Sequence, residues 1–184
     1  MTRLESLLGQ YAAYHLDRKN VFSHFIGIPL IVFSILCFAA KAQFTVAGYP
    51  IDLAMLLIVA SVIYYLSLDL IFGVVMAVLF ALIYQPATQV AALATSSWVL
   101  VSAGFFIVGW IIQFIGHYYE KKKPAFVDDL VGLAIGPLFV VAEFIFLIGL
   151  RKKLEEKVLV RAKQLRYDMD HKHVNHSSTS TQNP

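Results

Sequence analysis

Long apolar runs, each closed by a short polar or charged cluster, set the first reading of this chain. Residues 2–18 form an amphipathic prelude. Thr2 and Glu5 stand at capping-box spacing, and Leu4, Leu8, Tyr11 and His15 recur along one helical stripe. A helix is predicted there, with His15 continuing its apolar face. Asp17-Arg18-Lys19-Asn20 breaks the pattern, and residues 21–40 then supply the roughly twenty apolar positions that cross a hydrocarbon core, closed by Lys41. His24 lies one turn inside this run, with Gly27 and Pro29 beyond it to loosen the backbone locally. One continuous helix would put His15 and His24 on opposite faces; the polar break removes that restriction. Residues 42–50 read as a loop. Residues 51–84 are too long for a single span and divide at Ser67-Leu68-Asp69, because an aspartate is tolerated at a tight turn but is expensive in mid-membrane.

A second loop is expected at residues 85–89. The next run, 90–115, is rich in small residues early on, which suits close helix packing, and it ends in His117 and Glu120 before Lys121-Lys122-Lys123-Pro124. Gly136-Pro137 is expected to divide residues 125–150 into two pieces, each too short to span comfortably. Residues 151–170 read as a cationic amphipathic helix lying on the membrane surface, with Leu154, Val158, Ala162 and Leu165 as its stripe. Residues 171–184 read as a disordered polar tail, in which His171, His173 and His176 have no fold to hold them.

Composition narrows the class. With 59% hydrophobic and 15% charged residues and a mean hydropathy of +0.70, the chain is too apolar for a soluble domain of 184 residues. The apolar stretch at 21–40 follows a polar segment and leads to no cleavage site, so it is expected to remain as an anchor. The single cysteine, Cys37, lies inside a span and excludes a disulfide within the chain. The net charge of +3 says less than its distribution. With four spans and a re-entrant stretch at 125–150, every lysine and arginine except Lys41 falls on one side. If 125–150 crossed as a fifth span, that bias would collapse. The expected architecture is therefore an all-α membrane bundle with four spans plus a re-entrant helical hairpin, five spans being the alternative. Both termini are then cytoplasmic, in a bacterial inner membrane or, in a eukaryote, the endoplasmic reticulum. Residues 1–150 would be the membrane-embedded domain, 151–170 an interfacial helix and 171–184 a tail.

Few groups in the body of the chain can do chemistry: His15, His24, His117, Glu120, Glu143, Asp52, Asp69, Asp128 and Asp129. Three histidines and a carboxylate suit a divalent transition metal. His117 and Glu120 lie about 60° apart on one helix face, as paired ligands do in carboxylate-bridged metal bundles. Glu120 has a second reading, as a solvated partner of Lys121 to Lys123. All three histidines fall at the cytoplasmic end in a topology built only from Lys and Arg. Glu143, in an apolar segment, must face the bundle interior or stay protonated, as a hydrogen-bonded acid or as a metal partner or proton donor. Tyr11, Tyr14, Tyr118 and Tyr119 read as an aromatic belt.

The ordered set Tyr14-His15, Asn20, His24-Phe25-Ile26-Gly27-Ile28-Pro29, Gly116-His117, Glu120-Lys121 and Pro124-Ala125 resembles the fungal 2-hydroxy-fatty-acid dioxygenase family and its bacterial relatives over roughly residues 5–150. The resemblance implies an Fe(II)-dependent enzyme of fatty acid α-oxidation. A 2-hydroxy fatty acid and O2 would give the acid one carbon shorter, with His15, His24 and His117 as iron-site histidines and Glu120 beside them. His117, Glu120 and Glu143 are the expected catalytic groups. A 2-hydroxy acid suits such a site, since its hydroxyl and carboxylate can chelate iron while its alkyl chain lies among apolar helices. Membrane lipid is an expected partner and nucleic acid is not. Two other readings remain: a zinc-dependent membrane lipid hydrolase, and a non-enzymatic transporter or scaffold using Glu143.

Overall fold

The computed structural model describes residues 1–122 and 131–179, with the side chains of the last stretch described to His171. Asp128, Asp129, the Pro124-Ala125 motif, the first part of the expected hairpin and the side chains of His173 and His176 lie outside the described residues. Among the described residues, seven helices and one hairpin follow in order: α1 (Arg3–Ala12), α2 (Arg18–Ala39), β1 (Gln43–Val46), β2 (Tyr49–Asp52), α3 (Leu53–Leu68), α4 (Leu70–Ala91), α5 (Thr95–Glu120), α6 (Val131–Leu147) and α7 (Lys152–Thr179). Among the described residues, α2, α4 and α5 are long and apolar enough to cross a membrane; α3 and α6 are shorter apolar helices.

The capping box at the start of α1 forms as expected, with Thr2 and Glu5 each accepting from the other's backbone N–H. The helix stops earlier than its stripe suggests. Leu4, Leu8 and Tyr11 are buried on it, but α1 ends at Ala12, and His15 falls in the connection to α2. The polar cluster is not the break. Asp17 caps α2 by accepting from Lys19 N–H at 2.7 Å, and Arg18, Lys19 and Asn20 form the first turn of that helix.

Two expected interruptions are absent. α4 runs through Pro86 to Ala91, and α6 runs through the Gly136-Pro137 pair without a break. Each proline removes one backbone donor, and the flanking apolar residues keep the rest of the ladder buried from water. α2 likewise continues past Pro29. The expected loop at 42–50 is an antiparallel hairpin pairing Gln43 with Asp52 through Val46 with Tyr49. Its two turn residues, Ala47 and Gly48, have φ of 50° and 84°, the left-handed values of a tight hairpin turn. The predicted turn at Asp69 is present: its carboxylate caps α4 through Ile71 N–H and Phe72 N–H and also accepts from Arg151 at 2.8 Å.

α2 and α5 form the central pair. A Cβ on Gly27 would stand 2.9 Å from the Gly109 carbonyl oxygen, so the two backbones meet where side chains are missing. Ser34 donates to the Ser102 carbonyl at 2.7 Å, and Trp98 donates to the Cys37 carbonyl at 2.9 Å. α6 packs on α1, α2 and α4 at one end of this pair. The stripe of α7, expected against lipid, is met by α1. Leu154, Val158 and Ala162 are buried, and a Cβ on Gly9 would strike Arg161. The backbone of α7 continues to Thr179, into the segment expected to lack structure.

Candidate metal centre

The end of the α2–α5 pair carries three buried imidazoles. His15 comes from the α1–α2 connection, His24 from the second turn of α2 and His117 from the last turn of α5. Ring centroids are 4.3 Å apart for His15 and His24, 5.0 Å for His15 and His117 and 5.2 Å for His24 and His117. One nitrogen from each lies within 4.8 Å of the other two. Two nitrogens bound to one ion at about 2.1 Å stand at most about 4.2 Å apart, so the cluster is close to a shared coordination sphere.

Local backbone sets the tautomers. His15 Nδ1 donates to the Tyr11 carbonyl at 2.6 Å, and His24 Nδ1 donates to the Asn20 carbonyl at 2.8 Å. With Nδ1 carrying the proton, each ring offers an Nε2 lone pair, the arrangement that orients a ligating histidine. Ser23 donates to the same Asn20 carbonyl at 2.7 Å. His15 Nε2 and His117 Nδ1 are buried without a partner. Buried ring nitrogens are normally satisfied, so these two atoms call for a ligand that the protein itself does not supply. Burial and the neighbouring His24 hold His15 well below its ordinary pKa, so its ring is neutral at physiological pH, as metal binding requires.

Aromatic rings complete the wall. Tyr11 stacks on His15 with centroids 4.2 Å apart, and Phe139 of α6 lies 4.8 Å from Tyr11 and 5.5 Å from His15. Tyr11 is therefore part of the site and not of an aromatic belt. Tyr118 and Tyr119 are exposed, where a belt would have them.

Glu120 is near the histidines in sequence, but its carboxylate is used elsewhere. It accepts from Asp17 N–H at 2.7 Å, from the Asn20 amide at 3.2 Å and from Arg166 of α7. Its ion-pair partner is Arg166, and Lys122 pairs instead with Asp170. Among the described residues, the group able to hold a metal is the histidine trio without Glu120. Glu143 is half-buried and lines a cavity of about 330 Å³ together with His15, Arg18 and Glu155. A second cavity, about 290 Å³, reaches His24 and His117 between Ile28, Ile31, Val32, Ile35, Phe106 and Trp110. Asp52 caps α3 and accepts from Tyr84, far from the cluster in the chain's architecture.

Sequence reasoning found the histidines and missed their supports. Asn20 carries the signal most plainly: it lies four residues before His24, where a carbonyl meets a ring on the same helix face. Arg166 gives no local signal, because its partners are distant in the chain.

A helical membrane-type bundle with a buried three-histidine centre at the mouth of an apolar cavity is the class that the fold and site define. The comparisons with known proteins narrow it. The family model described as "2-hydroxy-palmitic acid dioxygenase Mpo1-like" matches residues 1–148, and the chain belongs to that family. It is similar to 2-hydroxy-palmitic acid dioxygenase MPO1 of Saccharomyces cerevisiae, 35% identical over 169 residues that cover 89% of this chain and 94% of the yeast protein. No solved structure matches it.

Proposed function

We propose that this protein is an Fe(II)-dependent dioxygenase that converts a 2-hydroxy fatty acid, with O2, into the fatty acid one carbon shorter. The observation that carries the reading is the buried trio of imidazoles, two of them with an unpaired nitrogen, in a chain that belongs to a family named for this activity. His15, His24 and His117 would hold the metal. Bound there, ferrous iron would supply the redox chemistry that O2 requires.

The chain's own residues define the rest. The Tyr11 and Asn20 carbonyls fix two rings with their lone pairs inward. Glu120 holds the start of α2 in place through Asp17 N–H and the Asn20 amide. Its role in this reading is to position the ligands, not to join them. The apolar cavity takes the alkyl chain and excludes water from it, with the acid head at His24 and His117. Glu143 would serve as the acid–base group on the His15 side, and its lining of the same cavity as His15 supports that role. Arg18 and Lys19, with Lys121 and Lys122, make the approach favourable to anions.

The same reading takes α2, α3, α4 and α5 as four crossings with both termini cytoplasmic, and α6 as a helix that does not cross. In its support, α6 meets the same end of the bundle along its length: Gly136 faces Tyr11, Phe139 faces His15, and Arg151 just beyond it bonds Asp69. Residues 1–150 then form the catalytic unit, with α7 clamped across it.

The test is anaerobic reconstitution of the full chain with Fe(II), then addition of 2-hydroxypalmitate and O2. The expected product is the C15 acid by mass spectrometry, with the metal lost in His24→Ala and His117→Ala. Zinc at full occupancy, with activity that survives without O2, would overturn this reading in favour of a lipid hydrolase.

A further inference from the structure

One polar group in the apolar cavity is not explained by metal binding. Gln113 precedes His117 by one helical turn on α5, so the two side chains project from nearly the same face. Gln113 is 4% exposed, and its Nε2 is buried with no hydrogen-bond partner. It lines the cavity that ends at His24 and His117. The other described non-histidine atoms left unpaired, on Asn20, Ser102 and Arg161, do not line that cavity.

The space around the amide is made by a glycine. A Cβ on Gly27 would stand 2.5 Å from Gln113 Nε2, so no side chain on α2 shares that position. A native interior rarely leaves an amide donor unsatisfied, and an apolar side chain of the same volume would fill the place without that cost. An alkyl chain has no atom to accept this bond. A donor in such a wall is matched only by the part of a ligand that carries oxygen, and one turn from His117 is where that part would lie.

We propose that Gln113 contacts the substrate: its amide donates a hydrogen bond to an oxygen on the polar head of the 2-hydroxy acid and sets how far the acid enters the cavity. This rests on the dioxygenase reading above and adds to it a residue that recognises the head group.

The experiment uses the full chain with Gln113→Leu and Gln113→Glu. Metal content, melting temperature and affinity for 2-hydroxypalmitate are measured for each. Both variants are expected to keep the wild-type metal content. Gln113→Leu is expected to melt at or above the wild-type temperature, since an unpaired buried donor is removed, while its affinity for the acid falls roughly tenfold. Gln113→Glu is expected to bind more weakly still, because it sets a carboxylate against a carboxylate. Unchanged affinity in Gln113→Leu would overturn the proposal. So would a large drop in its melting temperature or metal content, which would make Gln113 a packing or metal-site support. A wild-type protein that binds no 2-hydroxy acid would overturn the dioxygenase reading itself, so the two failures are told apart.

Discussion

Gly116 lies immediately before His117 and faces the start of α2, where a Cβ would collide with Ser23 Oγ and stand 2.6 Å from Asn20 Oδ1. Both are supports of His24. Gly116→Ala is therefore expected to destabilise the protein by about 1–3 kcal/mol, the usual cost of overpacking, and to lower its metal content with it. Gly104→Ala is the control: the space around that position is open within 4 Å, so the melting temperature should not fall and the metal content should not change. Equal behaviour of the two variants would show that the α2–α5 approach does not hold the ligands. At this scale the histidines were legible in the sequence, because imidazoles are rare in apolar runs and costly there without a role. Their partners were not, because a backbone carbonyl carries no sequence signal and acts only once the helix has set its direction.

Among the described residues α7 is tied to the rest of the chain by ion pairs to Glu120, Glu5 and Lys122, and the first two differ in burial. Arg166 donates to the Ala13 carbonyl at 2.6 Å and to Glu120, whose side chain is 1% exposed. Removing one partner of a buried pair leaves the other charge without compensation. Arg166→Ala is expected to cost roughly 3–5 kcal/mol of stability, and the loosened Asp17–Asn20 turn should weaken metal binding by roughly tenfold or more. Metal titration of the variant checks the second effect separately from thermal melting. The family model stops at residue 148, before this helix begins, whereas the match to the yeast protein covers 89% of the chain and so reaches into α7.

The second pair joins Glu5 to Lys157 at 2.7 Å. The Lys157 ammonium and the Thr2 backbone N–H hold Glu5 below its ordinary value of 4.5. The stability this provides is full above 4.5 and is lost as pH falls through the lower folded value. Melting curves recorded below that pH should show wild type and Glu5→Gln converging, whereas at neutral pH the variant should melt lower.

For the molecule as a whole, the proposed four-crossing arrangement would put the β1–β2 hairpin and the histidine centre on opposite sides of the membrane. Cys37 is buried, so the native chain should react little with a membrane-impermeant maleimide. Thr45→Cys is then expected to label from outside in intact cells, and Lys157→Cys only after permeabilisation. Labelling of both from one side would remove the proposed topology. The hydrophobic runs located the apolar helices, and Asp69 located one turn correctly. The loop expected at 85–89 and the division expected at Gly136-Pro137 are absent, because a proline breaks a helix in water more readily than in an apolar environment, where neighbouring helices protect the remaining backbone bonds.

The sequence by itself determined a mainly helical, apolar chain with three of its six histidines at the margins of the apolar runs, since composition, run length and residue rarity are local properties. Only the tertiary structure decided that the rings converge, that Tyr11 walls them, that Glu120 turns to Arg166, and that the stripes of α1 and α7 cover each other. Those outcomes depend on contacts between residues as far apart as Ala13 and Arg166. No pattern along the chain encodes such contacts until helix packing brings the partners within bonding distance.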